Sequence, residues 1–185
     1  MQNVEIYADR EYLGTTAHAL CCPDTDTHRR RLRMAGALLR GVQINTLADI
    51  GCGFADLVEF LKPEVIYIGV DSTPAFIKQA SERRPELQLI AQNGIEWLEN
   101  CEPRSLDAVV ALGVLATCDS GQMRELLCLM RRAARKIVVV SWQERREYKG
   151  SFNAWDREDV EHWLGRCKAL SSSLNDTEYT GAFIP

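Results

Sequence analysis

The 185-residue chain has no apolar run longer than a strand requires. Runs such as residues 137–140 (IVVV) fall far short of the roughly 20 residues that cross a bilayer as a helix, so no membrane partner is expected. There is no excess of basic charge. A net charge of -4 argues against a general nucleic-acid binder, and nucleic acid is not expected as a partner. There is also no CxxC pair among the seven cysteines. Their odd number and scattered placement suit a reducing, cytoplasmic setting better than a disulfide framework. Cys21 and Cys22 with His18 and His28 match no zinc-binding spacing, so no metal site is expected. The opening residues, MQNVEIYADR, lack the basic segment and apolar stretch of a secretory signal. No repeat, low-complexity tract or linker interrupts the chain. With 46% hydrophobic and 26% charged residues, its composition is that of an ordinary globular domain, and its length suits one.

What is present is a regular alternation. Leu32, Ala35, Leu38 and Leu39 recur at helical spacing and predict a helix over 27–40, with Gly41 as its stop. Strands are predicted over 47–50, 65–70, 87–91, 106–112 and 136–142. Between them fall helices over 55–61, from Thr73 onward, at 95–98 and over 119–132. Thr73 can cap its helix with Pro74 at the first position, and Gln122 stands at capping-box spacing from Asp119. A last helix begins at Asp156. Residues 169–174 and 178–184 are separated only by Asn175, Asp176 and Thr177, which permits an antiparallel hairpin and nothing else. Strands alternating with helices predict an α/β fold. Its three layers would hold a mostly parallel seven-stranded sheet, closed by the C-terminal antiparallel hairpin.

In such sheets ligands bind at the carboxyl ends of the strands, near the reversal of strand order. The first strand runs into Asp49-Ile50-Gly51-Cys52-Gly53, where glycines let the backbone turn tightly and approach a ligand. Eighteen residues after Gly53, at the end of the second strand, stands Asp71, whose carboxylate can accept both hydroxyls of a ribose. A bare Gly-x-Gly is weak evidence, because a plain strand-to-helix turn needs as much. The acidic partner makes it stronger. A dinucleotide fingerprint wants a third small residue at position 56, and Asp56 there would repel a pyrophosphate. A sulfonium nucleoside has no phosphate and carries positive charge, so Asp49 and Asp56 suit it.

Three segments, 47–53 (LADIGCG), 68–72 (IGVDS) and 105–110 (SLDAVV), together resemble the class I S-adenosylmethionine-dependent methyltransferases. The resemblance spans roughly residues 45–142 and implies a Rossmann-like fold with S-adenosylmethionine as cofactor and S-adenosylhomocysteine as product. It implies that Asp49 orients the methionine end, that Gly51, Cys52 and Gly53 pass close to it, and that Asp71 binds the ribose. Ser72 would lie beside the adenine. Asn93, before Gly94, would stand in for the acidic residue facing the adenine amino group. Leu112 and Gly113 would border the sulfonium. It further implies one domain over 1–185, with an N-terminal lid and helix over 1–45, a cofactor core over 46–142, and an acceptor-side loop, helix and closing hairpin over 143–185. Ala55 replaces a frequent third glycine, and the usual Pro-Gly-Gly turn before the fifth strand is missing.

The acceptor is less legible. A neutral hydroxyl or amine needs a general base. His18, His28 and Tyr148 are the candidates, although an exposed or structural role is the commoner one for each histidine. Tyr7 and Tyr12 can close over a cationic centre, since aromatic faces attract cations. The long segment after the fifth strand offers Trp142, Tyr148 and Asn153 for an acceptor pocket. The basic run from His28 to Arg33 could meet RNA or a carrier-bound substrate, but reads more simply as a solvated helix face. The expected activity is methyl transfer to an O, N or C nucleophile of a small metabolite or natural-product intermediate. A non-catalytic cofactor-binding regulator and an NAD-dependent oxidoreductase are the alternatives.

Overall fold

The computed structural model describes residues 25–143, 153–172 and 178–185. Tyr7, Tyr12, His18 and Tyr148 lie outside the described residues.

The elements follow the apolar pattern closely. Helix α1 (Thr25–Arg40) leads to β1 (Thr46–Ile50), a 3-10 turn (Asp56–Phe60), β2 (Ile66–Asp71), α2 (Pro74–Arg83), β3 (Gln88–Ala91) and α3 (Gly94–Glu99). There follow β4 (Leu106–Ala111), a second 3-10 turn (Val114–Thr117), α4 (Ser120–Ala133), β5 (Ala134–Gln143), α5 (Arg157–Leu164), β6 (Ala169–Ser172) and β7 (Glu178–Phe183). The strands form the expected seven-stranded sheet, in the order β3-β2-β1-β4-β5-β7-β6. β1 to β5 are parallel, and β7 runs antiparallel to both β5 and β6.

Alternation along each strand builds two cores. Ala48, Val109, Val138 and Val140 pack with Leu127 and Met130 of α4 on one face. Leu47, Tyr67, Val110 and Val139 pack with Leu32, Ala35 and Leu39 of α1 and Ile77 of α2 on the other. This is why the parallel strands read as nearly continuous apolar runs: both faces are covered. The missing Pro-Gly-Gly turn has a direct consequence. α4 ends at Ala133 and β5 begins at Ala134 with no loop between them.

Three local expectations are corrected. Residues 55–61 form no α-helix. Ala55 takes a left-handed conformation (φ 59°), and only a five-residue 3-10 turn follows. Thr73 does not cap α2 through its side chain; instead its backbone N–H donates to Asp71 Oδ1 at 2.8 Å. The His28–Arg33 run is not a uniformly solvated face. Arg29 and Arg33 are exposed, but Arg31 is buried.

Candidate functional site

Strand order reverses between β1 and β4, where β1 connects toward β2 on one side and β4 toward β5 on the other. A cavity opens at the carboxyl ends of these strands. It is lined by Asp49, Gly51, Cys52 and Gly53 from the first turn, Asp71 and Ser72 from the end of β2, and Leu112 and Gly113 after β4. Eight of the sequence-predicted cofactor residues therefore share one cavity.

The turn needs its glycines. Gly51 (φ +72°) and Gly53 (φ +53°) adopt the left-handed region, and a Cβ on Gly51 would meet Val114 Cγ2 at 2.3 Å. Asp71 ties this turn to β2: Gly53 N–H donates to its Oδ2 at 2.9 Å. With Thr73 on the other oxygen, the carboxylate is fixed in orientation, and each oxygen keeps a lone pair for a hydroxyl. Burial raises the Asp71 carboxyl above its ordinary range, and the two backbone N–H donors oppose that rise.

Asp49 is more deeply placed. Its Oδ2 accepts a 2.6 Å hydrogen bond from the Tyr67 hydroxyl. Burial lifts its pKa from 3.8 to about 7. The Tyr67 bond works against that lift, and the charges of Asp71 and Asp56 add to it. A cation placed beside Asp49 would favour its charged form and oppose the lift due to burial.

Two basic side chains of α1, Arg31 and His28, reach the same cavity, and sequence reasoning passed over one of them. Arg31 is 4% exposed and forms a buried ion pair with Glu178 at the start of β7. Its Nη1 would lie 2.7 Å from a Cβ on Gly113, so the glycine makes room for the guanidinium. The partner is 147 positions away, so no local pattern could have marked Arg31. His28 Nε2 lies 3.6 Å from Asp56 Oδ2, and Arg84 Nη2 lies 3.7 Å from Asp56 Oδ1. Phe54 and Phe76, with ring centroids 5.0 Å apart, supply an apolar wall beside Ser72 and Thr73.

Other predicted residues fall elsewhere. Asn93 is exposed, and its Oδ1 accepts from the backbone N–H of Ile95 and Glu96. It caps α3 and does not line the cavity. Gly94 does not line it either: a Cβ there would strike Ile50 Cγ2 at 2.3 Å, a packing constraint. Trp142 is 1% exposed and stacks on Tyr179 at 5.8 Å, so it is a core residue and not an acceptor-pocket wall. Asn153 donates its backbone N–H to Ala116 O and its Nδ2 to Cys118 O. Trp155 Nε1 likewise donates to Leu115 O. These bonds fasten the returning chain to the 3-10 turn whose Val114 and Thr117 line the cavity. Asn153 thus supports the wall from behind.

Comparison with known proteins bears on the family and the fold. Residues 48–136 match the family described as a methyltransferase domain. A trans-aconitate 2-methyltransferase of Rhodopseudomonas palustris is 37% identical over 73 residues, covering 36% of this chain and 28% of that enzyme. A second, from Afipia carboxidovorans, is 32% identical over 76 residues, covering 40% and 30%. These sequence matches thus span less than a third of either relative. Among solved structures, the magnesium protoporphyrin IX methyltransferase of Synechocystis with bound S-adenosylmethionine shares the fold at a TM-score of 0.70 and 14% identity, over 95% of this chain and 94% of that one. The N-methyltransferase NodS of Bradyrhizobium japonicum with S-adenosylhomocysteine does so at a TM-score of 0.70 and 18% identity, over 94% of each chain. With its three motifs in register, its 3-2-1-4-5-7-6 sheet and its matched segment, the chain carries a methyltransferase domain over residues 48–136 on the fold shared with S-adenosylmethionine-dependent methyltransferases.

Proposed function

We propose that this cavity binds S-adenosylmethionine and that the protein transfers its methyl group to a small-molecule nucleophile. One observation carries the reading: a single cavity presents a buried carboxylate (Asp49), a buried guanidinium (Arg31) and a second, rigidly held carboxylate (Asp71). These match the ammonium, the carboxylate and the ribose diol of the cofactor. Gly51 and Gly53 bring the backbone close to the amino-acid end, and Phe54 and Phe76 offer an apolar surface to the base. The same carboxylates, with Asp56, oppose a pyrophosphate and disfavour a dinucleotide.

When bound, the cofactor supplies an electrophilic methyl on a sulfonium. The protein's part is positioning, which by itself provides much of the acceleration for a nucleophilic acceptor. Gly113 and Leu112 border the cavity where such an acceptor would approach. The relatives named for trans-aconitate make small carboxylic acids the first acceptor class to test. A carboxylate is already a nucleophile and needs no base. A hydroxyl acceptor would call on His28, which lines the cavity.

Titration calorimetry with S-adenosylhomocysteine tests the donor half. Binding by the native protein, strongly weakened in Asp71→Ala, is expected; no binding would refute the reading. A screen of small di- and tricarboxylic acids with methyl-labelled cofactor tests the acceptor half, with a base-labile methyl ester as the expected product. Label found only in base-stable products would refute the carboxylate class.

A further inference from the structure

Asp49 owes its orientation to a residue that no sequence motif marks. In the register of β1 with β2, Leu47 stands opposite Tyr67 and Asp49 opposite Gly69. Tyr67 and Asp49 are therefore diagonal neighbours on one sheet face, within reach of an aromatic side chain. The space between them is left open by Gly69. A Cβ there would lie 3.1 Å from Tyr67 Cε1, 2.9 Å from Cys52 Sγ and 2.6 Å from Leu89 Cδ2. Without it the Tyr67 ring leans along β2 and delivers its hydroxyl to Asp49 Oδ2 at 2.6 Å. Tyr67 is 4% exposed and does not line the cavity; Asp49 does. The other carboxylate oxygen accepts no hydrogen bond among the described residues.

We propose that Tyr67 is a positioning residue for the amino-acid end of the cofactor: by holding Asp49 through one oxygen, it presents the other oxygen and the negative charge to the ligand's ammonium. This rests on the reading of the cavity as an S-adenosylmethionine site. Burial, and then the neighbouring Asp49 charge, push the Tyr67 phenol well above its usual range, so it stays an O–H donor at every working pH. A hydrogen bond to a carboxylate favours the charged form. Removing the hydroxyl therefore moves Asp49 toward protonation. The other charged groups acting on Asp49 are Asp71 on β2 and Asp56 in the 3-10 turn. Cys52 of the turn sits beside it, and Arg31 and His28 of α1 line the same cavity. All of them remain unchanged in a Tyr67→Phe variant.

The test is S-adenosylhomocysteine affinity against pH, by calorimetry on the full chain. Tyr67→Phe keeps the ring and the packing. It is expected to bind about tenfold more weakly at pH 7. The midpoint of its affinity–pH curve should move upward by about one unit, and the deficit should close by pH 9. A purely structural role would lower affinity equally at all pH values. In an Asp49→Ala background, the Tyr67→Phe effect should disappear. This cycle is read as a difference between two Asp49→Ala proteins, so it still decides if Tyr67→Phe is itself somewhat destabilised. An unshifted midpoint, or a Tyr67→Phe loss that persists in Asp49→Ala, overturns the proposal while leaving the cofactor reading intact. Failure of the native protein to bind overturns the cofactor reading and this proposal with it.

Discussion

In the ligand-free protein, Asp49→Asn is expected to raise thermal stability at pH 8 and to lower affinity for S-adenosylhomocysteine. Asp49 has a folded-state pKa of about 7 against 3.8 for an ordinary aspartate. A raised pKa means that the folded state disfavours the charged form. The stability associated with this group is fully present below pH 3.8 and is lost as pH rises toward 7. At pH 8 the native protein carries a buried charge without its ligand. Three units would correspond to about 4 kcal/mol at most. Asn removes the charge but keeps a polar amide to satisfy, so a gain of about 1–3 kcal/mol is expected, or roughly 2–10 °C in Tm for a chain of this size. The gain should shrink at pH 5, where the native carboxyl is already neutral. With ligand present the order reverses, because the ammonium loses its counter-charge. Affinity should fall by about 10- to 100-fold, as for loss of a hydrogen bond to a charged group. Scanning calorimetry at pH 5 and 8, with and without S-adenosylhomocysteine, reads both effects. An equal Tm shift at the two pH values, or unchanged affinity, would refute the reasoning.

Arg31→Met should lower both cofactor affinity and Tm, because it breaks the buried Arg31–Glu178 ion pair; adding Glu178→Leu should recover part of the Tm but not the affinity, as calorimetry and thermal melts can check. Trp142→Ala should destabilise the fold by about 3–5 kcal/mol in denaturant titrations. Its residual folded fraction should keep its cofactor affinity, as befits a core residue. Asp107, at the opposite end of the sheet, is buried. That burial alone would raise its pKa, but bonds from Asn45 N–H, Arg135 and Lys136 outweigh it and hold the carboxyl at about 2. Stability from this cluster should be present above pH 4 and lost between about pH 4 and 2, and Asp107→Asn should flatten that part of the stability–pH curve.

The sequence alone determined the alternation of strands and helices, the closing hairpin and the glycine turn with Asp71 on the neighbouring strand. Each is written in local terms: apolar period, turn residues, and a spacing that one crossover between adjacent parallel strands converts directly into proximity. Local terms failed where a residue's surroundings come from distant parts of the chain. Arg31 reads as one arginine in a basic run, yet Glu178 on β7 and the bare backbone of Gly113 make it a buried wall of the cavity. Trp142 reads as the start of an acceptor loop, yet the pairing of β5 with β7 lays it against Tyr179 and Phe183. Asn93 stands at the right place for an adenine contact, but an asparagine before a helix spends its carbonyl on the first free N–H groups. Tyr67 is one apolar residue in a strand until register sets it diagonally from Asp49 across Gly69. Which carboxylate is held, by what, and against which charge depends on which strands become neighbours, and only the tertiary structure decides that.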